Sequence, residues 1–536
     1  MKNRLFLAFV VLFCLFFTTH VGYAQSTNAE TSDTDAKISF SDTYENKDVS
    51  KDKSKVVMSR FLFKDTLGNI YALKMLEREN FSSDKVYIEK YTPDLKQVFD
   101  KELPLASVGG SLRYDAVLML KGQIYVLADC RNPTTYFVYA IKINNDGQAD
   151  TPIRLAEFAS GSSKGRCTIK ISKDSSKIMV SPLLLHEKVN GRKSTLDDVS
   201  VLVFDNNLKL LWKKETTTLR KVKTYGIASP PIQREITANF GVDSKGQILT
   251  VARLKSDKKG DDNLLPHLCI SDARGGNKNF PLDLNQKEVL AFDFLETTDP
   301  DQLIILGTYS VRTHDGYFDK KPEANGTFFI RIDTQTGIIV SQSVNPFSQE
   351  IYKFLDINNR KQENGEGITN LELTNYTTTS KNNIILVIEE SVNTVFHSNV
   401  SDYPFHASST MFNIKYNADG KILYQNYIPR NLTSTNAYGM DDTQIIHDEQ
   451  YAFLFNDHKK NIGKTFKTTS NIKGATPGND PTVIRLVTVD KNGEQKTSVI
   501  EDNFVLQTTA TLQYAPNIFI TVGVSKAKFK LIKVTY

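Results

Sequence analysis

A short apolar segment that follows a polar turn recurs along the whole of this 536-residue chain. The clearest copy is residues 122–128, Gly-Gln-Ile-Tyr-Val-Leu-Ala, in which Ile124 is the first apolar position. The corresponding positions of the eight copies are Ile70, Ile124, Ile178, Ile248, Leu303, Ile384, Tyr451 and Ile518. Their mean spacing is 64 residues, because 448 residues separate the first and last positions over seven intervals. Runs of about six apolar or β-branched residues are typical of strands buried on both faces of a sheet.

A second signal follows each copy, namely a strand, a short turn and another strand. The turns include Asn-Asp-Gly at 145–147, Asn-Ala-Asp-Gly at 417–420 and Lys-Asn-Gly at 491–493. Such turns supply the positive φ angles that hairpins require, so each period holds about four strands. In this respect the chain resembles the β-propeller superfamily, whose blades are four-stranded repeats of roughly 40–70 residues. A pair of β-sandwiches would also repeat hairpins, but eight copies with the same internal order favour a propeller.

The resemblance implies an all-β fold, with a single β-propeller over residues 56–536. After residue 500 the sequence predicts only three strands, at 506–514, 518–524 and 529–536. We expect a strand at 37–44, within an N-terminal segment 25–55, to pair with 529–536 and to close an eight-bladed ring. Closure of this kind removes exposed sheet edges. The alternative is a seven-bladed ring in which the terminal strands form an irregular cap.

The first 24 residues predict a signal peptide. Lys2 and Arg4 precede an apolar run at 5–17, and a small residue, Ala24, stands at the expected cleavage site. The start resembles those of exported proteins of Bacteroidota-type bacteria, in which an Ala-Gln junction is common. We therefore expect an exported protein that is periplasmic, associated with the outer membrane or secreted.

Charge and motifs exclude several classes of protein. Loss of Lys2 and Arg4 reduces the net charge from +5 to +3, which gives no reason to expect a nucleic-acid partner. No later stretch is long enough to span a membrane. The chain has no His-Glu-x-x-His or Walker motif. We predict no cofactor, no metal site and no catalytic residue, and we expect a monomer.

Three neighbouring blades carry long insertions between their second and third strands. The distance from the first apolar position to the hairpin turn is 25 and 23 residues in blades 1 and 2, but 34, 36 and 42 residues in blades 5, 6 and 7. The insertions are predicted as loops at 311–326, 391–407 and 457–481. Loops on a rigid scaffold are common binding sites. A proline-led segment at 346–361 predicts a short helix that covers apolar surface.

These insertions are rich in histidine, aromatic and basic residues, and we predict that they bind a protein or glycan partner of the cell envelope. The predicted binding residues are His314, Tyr317, Phe318, His397, Tyr403, Phe405, His406, His458, Lys459 and Lys460. The alternative function is a hydrolase or lyase acting on a polysaccharide or peptide. It would use His314, which precedes Asp315, for acid–base chemistry.

Overall fold

The computed structural model describes residues 37–45, 57–77, 83–103, 113–131, 135–159, 166–183, 199–216, 223–224, 240–255, 264–282, 284–285, 287–311, 323–358, 361–362, 365–397, 402–434, 443–477, 480–501, 504–525 and 528–535. These residues form eight four-stranded antiparallel blades in a ring, which confirms the prediction of an all-β propeller. No helix among them is both long enough and apolar enough to cross a membrane.

The first four blades follow two short N-terminal strands, β1 (Lys37–Phe40) and β2 (Tyr44–Glu45). Blades 1 and 2 consist of β3 (Val57–Lys64), β4 (Ile70–Glu77), β5 (Ser83–Tyr91), β6 (Gln97–Glu102), β7 (Arg113–Leu120), β8 (Gln123–Arg131), β9 (Thr135–Ile143) and β10 (Ile153–Ala159). Blades 3 and 4 consist of β11 (Arg166–Ile171), β12 (Lys177–Leu183), β13 (Val199–Asp205), β14 (Leu210–Thr216), β15 (Lys223–Thr224), β16 (Phe240–Val242), β17 (Ile248–Lys255), β18 (Leu264–Ser271) and β19 (Asn277–Pro281).

The last four blades contain additional short elements. Blade 5 and the link that follows it consist of β20 (Glu288–Glu296), β21 (Gln302–Ser310), β22 (Glu323–Ala324), β23 (Gly326–Asp333), β24 (Ile339–Pro346), the helix α1 (Gln349–Phe354) and β25 (Ile368–Thr369). Blade 6 consists of β26 (Leu371–Thr378), β27 (Ile384–His397), β28 (Asp402–Tyr416), β29 (Ile422–Ile428) and β30 (Leu432–Ser434). Blades 7 and 8 consist of β31 (Thr443–His447), β32 (Gln450–His458), two 3-10 turns (Lys459–Asn461 and Thr469–Asn471), β33 (Thr482–Val489), β34 (Gln495–Glu501), β35 (Val505–Ala515), β36 (Ile518–Ser525) and β37 (Lys528–Thr535).

The hydrophobic core lies between the blades. A cluster of buried residues joins each blade to the next, as Ile124 of blade 2 joins Leu73 of blade 1. The clusters continue around the ring until Ile520 and Leu531 of blade 8 pack against Ile70 of blade 1. Because a blade is covered by neighbours on both sides, its second strand is apolar at successive positions. In β32, every residue after the first is buried, as expected for a strand with two covered faces.

The ring closes through the N-terminal strand, as predicted. β1 pairs antiparallel with β37, from Lys37 opposite Thr535 to Phe40 opposite Ile532, so it is the fourth strand of blade 8. The pairing then breaks at Ser41, whose hydroxyl accepts a hydrogen bond from the backbone N–H of Leu531 (2.9 Å). The predicted strand at 37–44 is therefore two short strands, because a side-chain oxygen takes the place of a backbone acceptor.

Blade 4 departs from the regular pattern. Its innermost position is shared by two fragments, since β15 pairs with Ala252 and Arg253 of β17, and β16 pairs with residues 248–250 of the same strand. Residues 225–239, which separate the two fragments, lie outside the described residues. Close to this blade, the carboxylate of Glu296 accepts hydrogen bonds from the backbone N–H groups of Lys173 and Ser244 (both 3.1 Å). One side chain of blade 5 thus joins the turns of blades 3 and 4.

The hairpin turns share a side-chain interaction. Asp205 accepts hydrogen bonds through Oδ1 from the N–H groups of Asn207 and Lys209 (both 2.9 Å), and Asp490 makes the equivalent pair at 2.8 Å. An acceptor in the first position of the turn satisfies backbone donors that the strands leave unpaired. The fourth position of these two turns has positive φ, at Leu208 (62°) and Gly493 (91°). In the turn that begins at Asp333, which is one residue longer, the positive φ falls on the fifth position, Gly337 (77°). There a Cβ would lie 2.1 Å from the Phe280 ring of blade 4.

A buried carboxyl in the first turn of blade 4 makes stability depend on pH. Burial raises the pKa of Asp243 from 3.8 to about 6, with a smaller contribution from Glu296, and Lys245 and the Gln247 N–H oppose the shift. The folded state therefore binds this proton more tightly than the unfolded state. The stability that this group contributes is fully present below pH 3.8 and is lost as the pH rises through 6. The loss amounts to about 3 kcal/mol.

Replacement of Asp243 by Asn is therefore expected to stabilise the protein at high pH only. The amide oxygen of Asn can still accept the hydrogen bond from the Gln247 N–H (2.7 Å), but it carries no buried charge. Thermal unfolding of the two proteins at pH 4 and pH 8 tests this: D243N melts at a higher temperature than the parent at pH 8, and the two curves nearly coincide at pH 4. An equal difference in melting temperature between D243N and the parent at both pH values would contradict a raised pKa for Asp243.

Candidate binding surface on blades 5 to 7

The connections between the second and third strands of each blade, and those between consecutive blades, lie on one side of the ring, which we call the loop face. The opposite side, with the hairpin turns, is the turn face. On the loop face, the insertions of blades 5 and 7 and the base of the blade 6 insertion are joined to the two links between these blades.

Asn325 ties the insertion of blade 5 to the link that follows the blade. It is 7% exposed. Its Oδ1 accepts a hydrogen bond from the Val311 N–H (2.9 Å), and its Nδ2 donates to the carbonyl oxygens of Gly365 and Glu366 (both 3.3 Å). Its own carbonyl accepts from the hydroxyl of Tyr352 on α1 (2.9 Å). β22 also pairs with β25, so the described end of the insertion, residues 323–326, is joined to the link.

The helix α1 confirms the prediction of a short helix that covers apolar surface. It begins after Ser348, whose hydroxyl accepts from the Ile351 N–H, and it buries Ile351, Tyr352 and Phe354. Burial raises the pKa of Tyr352 to about 12, which keeps its hydroxyl a donor at neutral pH. Phe354 stacks on Tyr427 of β29, with ring centroids 4.1 Å apart. The helix therefore lies across blade 6.

The insertion of blade 6 was predicted to be a loop, but most of its described residues extend the sheet. β27 and β28 continue as a two-stranded ribbon from Ser391 opposite Ser408 to His397 opposite Asp402. We call residues 391–397 and 402–408 the blade 6 ribbon. β30 pairs with the base of this ribbon, at residues 406–408. Alternating β-branched and aromatic residues such as Val392, Thr394 and Phe396 suit extended pairing better than a loop.

A buried ion pair holds the base of the ribbon. Arg430 is fully buried, and its guanidinium pairs with Glu389 and contacts the hydroxyl of Ser408. Its Nε also donates to the carbonyl of Ser409 (3.3 Å). Burial raises the pKa of the adjacent Glu390, against an opposing hydrogen bond from Ser409. These polar groups lie where the register of β26 and β27 against their partners shifts, and they fix the point at which the ribbon leaves the blade.

The insertion of blade 7 is anchored by a second buried ion pair. Asp457 is 1% exposed and lies 2.8 Å from Nη1 of Arg485. Its other oxygen accepts from the His458 N–H (2.8 Å) and from Nδ2 of Asn461 (2.7 Å). Asn461 is fully buried and also makes two hydrogen bonds to the backbone of Lys473 (2.9 and 3.0 Å). The start and the far end of the insertion are thus held to the same blade.

The same insertion packs on its neighbours. Phe466 and Ile472, both 5% exposed, form a cluster with Phe354 of α1. Ala475 exchanges backbone hydrogen bonds with the blade 6 to 7 link, accepting from the Thr433 N–H (2.9 Å) and donating to the carbonyl of Asn431 (3.0 Å). The layer therefore runs without a break from α1, over blade 6, to blade 7.

The predicted binding residues fall into three groups. His314, Tyr317 and Phe318 lie outside the described residues. His397, Tyr403, Phe405 and His406 lie in the blade 6 ribbon. His458 is 4% exposed, and its Nδ1 accepts a hydrogen bond from the Lys460 N–H (2.9 Å), so it caps the first 3-10 turn. Lys459 and Lys460 are exposed.

Sequence reasoning missed the polar residues that hold this layer together, above all Asn325, Arg430 and Asn461. No local pattern distinguishes a buried Asn in a loop from an exposed one. It also missed two exposed lysines of the blade 7 insertion, Lys467 and Lys473, although an available signal was the absence of any acidic residue from 458 to 479. Among the residues that the structure describes, no three His, Cys, Asp or Glu side chains gather in a metal-binding arrangement.

Comparison with known proteins gives no family. No family model and no curated protein matches the sequence. Similar solved structures include the β-propeller domain of the Trilobed protease from Pyrococcus furiosus, with 8% identity, a TM-score of 0.35, and coverage of 82% of this chain and 95% of that chain. A polysaccharide lyase, the PL25 ulvan lyase, has 11% identity and a TM-score of 0.37 over 78% of this chain and 90% of that one.

Prolyl oligopeptidase B from Galerina marginata has 10% identity and a TM-score of 0.37 over 90% of this chain and 58% of that one. TM-scores and identities this low carry no argument about activity or substrate. The propeller assignment rests on the strand pairing within the blades and on the packing that closes the ring.

Proposed function

We propose that this protein is an exported, non-enzymatic β-propeller that binds a protein or glycan partner at the bacterial cell envelope through the loop face of blades 5 to 7. The observation that carries the proposal is the continuous packed layer on that face. Insertions that serve no purpose can remain loose, because long surface loops cost little free energy. Here instead Asn325, Asn461 and two buried ion pairs hold the described parts of the three insertions in place.

A prefolded surface favours binding for a physical reason. Ordering side chains and loops at an interface costs free energy at the moment of association. A layer already fixed by buried hydrogen bonds has met that cost during folding. Export is supported by the sequence of residues 1–24, with its basic start and apolar run. In this proposal the mature chain begins at Gln25 and acts in the periplasm, at the outer membrane or outside the cell.

Site-specific photocrosslinking in the envelope of the native host tests the proposal. A benzoylphenylalanine placed at the exposed Ile462 or Ser470 reports on the loop face, and one placed at Lys381 or Lys491 reports on the turn face of blades 6 and 7. We expect a discrete crosslinked species from the loop-face positions and none from the turn-face positions. Equal crosslinking from both faces, or none from either, would remove the proposal.

The alternative, a hydrolase or lyase that acts on a polysaccharide or peptide, depends on His314. That residue lies outside the described part of the chain, and the alternative stays a prediction.

A further inference from the structure

The insertion of blade 7 has an unusual charge. Between residues 458 and 479 the sequence has five lysines and no aspartate or glutamate. All five side chains are exposed, while Phe466 and Ile472 between them turn inward. The lysines are Lys459, Lys460, Lys464, Lys467 and Lys473. We call residues 459–473 the lysine loop.

Four of the five lysine charges have no counter-ion among the residues that the structure describes. Within the described ranges, no carboxylate lies within ion-pairing distance of Lys460, Lys464, Lys467 or Lys473. The two acids that flank the segment are otherwise engaged, because Asp457 pairs with Arg485 and Asp480 accepts from the Thr476 N–H (2.7 Å). The helix α1, which borders the lysine loop, carries one acidic and one basic residue, Glu350 and Lys353.

The lysine loop is held rigidly. Asn461 joins its first turn to the backbone of Lys473, and Phe466 and Ile472 pack under it. Several lysines on an anchored backbone segment, with no acidic residue among them, create a local positive potential, which attracts polyanions most strongly.

We propose that the lysine loop binds an acidic polysaccharide, carboxylated or sulfated, and that this is the partner class of the loop face; the inference rests on the proposed function. Lysines bind carboxylate and sulfate as point charges. Between them, the hydroxyls of Thr468 and Ser470 bond each other (2.8 Å), and the exposed Ser470 hydroxyl retains capacity for a further hydrogen bond to a sugar hydroxyl. Repeated anionic sugars would place successive charges along successive lysines.

A membrane or an acidic protein fits this surface less well. Insertion into a membrane interface buries exposed apolar side chains, but only Ile462 in the loop is an exposed large apolar residue, at 38%. Protein interfaces concentrate their affinity in exposed aromatic anchors, whereas the one aromatic residue of the loop, Phe466, is buried.

Binding of purified mature protein to immobilised alginate, dextran sulfate and neutral dextran tests the inference. The loop variant K464E/K467E/K473E is compared with K381E/K421E/K491E, which changes three exposed lysines on the turn face of blades 6 and 7. Both variants alter the net charge equally, and neither removes a described side-chain contact. We expect the parent to bind an acidic polymer and not neutral dextran, with an affinity that falls steeply with salt.

The loop variant should lose at least tenfold in affinity, and the turn-face variant less than threefold. Equal losses in both variants, binding to neutral dextran, or binding only to vesicles of anionic lipid would each overturn the inference. Crosslinking from Ile462 distinguishes the two proposals. If the loop face still crosslinks but no acidic polymer binds, the proposed function stands and the inference fails. If neither occurs, both fail.

Discussion

Removal of residues 25–45 from a protein produced from Gln25 onward is expected to destabilise the propeller by on the order of 5 kcal/mol. The deletion removes the paired residues of β1 and the Tyr44 hydroxyl, which donates to the carbonyl of Leu95 (3.0 Å) and accepts from the Gln97 N–H (3.1 Å). It also uncovers the outer edge of β37. An unpaired strand edge is a template for association, so the variant should form concentration-dependent oligomers. Thermal unfolding and analytical ultracentrifugation measure the two effects.

The matched control removes only residues 25–36 and should unfold like the parent. A synthetic peptide with the sequence of residues 37–45 supplies a second test. Because it can bind the open edge as an added strand, it should raise the melting temperature of the truncated protein with increasing concentration. A truncated protein as stable as the control would show that β1 does not hold the ring closed.

The second large effect is expected from Asp457→Ala, which should reduce the free energy of unfolding by about 3–5 kcal/mol. The substitution removes the carboxylate that pairs with Arg485 inside the protein and two further hydrogen bonds, from His458 and Asn461. Breaking one half of a buried pair leaves a buried charge without its counter-ion. Chemical denaturation of the parent and the variant measures the change.

The Asn461→Ala variant separates loosening of the lysine loop from a loss of global stability. It removes the side chain that joins the two ends of the lysine loop and leaves the ion pair intact. We expect trypsin to cleave this variant rapidly after Lys464 or Lys467, sites that the parent protects, while its global stability falls by less than that of Asp457→Ala. Equal resistance of parent and N461A to trypsin would show that Asn461 does not anchor the loop.

The repeat was predictable because each blade uses the same local chemistry. Ile124 and its equivalents all begin the second strand of a blade, where a strand covered on both sides must be apolar throughout. The polar turns follow from the need for positive φ and for a side-chain acceptor, as at Asp205 and Asp490. The sequence predicts only three strands after residue 500, and this count alone indicated that blade 8 takes its fourth strand from elsewhere in the chain.

The departures from the repeat depend on contacts between distant residues. Nothing local in Lys223 and Thr224 shows that they share the inner position of blade 4 with Phe240. Residues 391–397 of the blade 6 ribbon form a strand only because they pair with residues 402–408. The lysines of blade 7 were visible in the sequence, but the layer beneath them was not, since it requires Phe466 to reach Phe354 of another blade's link.

The position of β1 also constrains the order of folding. Most strand pairs of the propeller join residues within one period, so a blade can form without waiting for the rest of the chain. The bond between Ser41 and Leu531 joins residues 490 positions apart, and a contact so distant in sequence is slow to form. Until β1 pairs with β37, the incomplete ring has exposed sheet edges, which are templates for association with other chains.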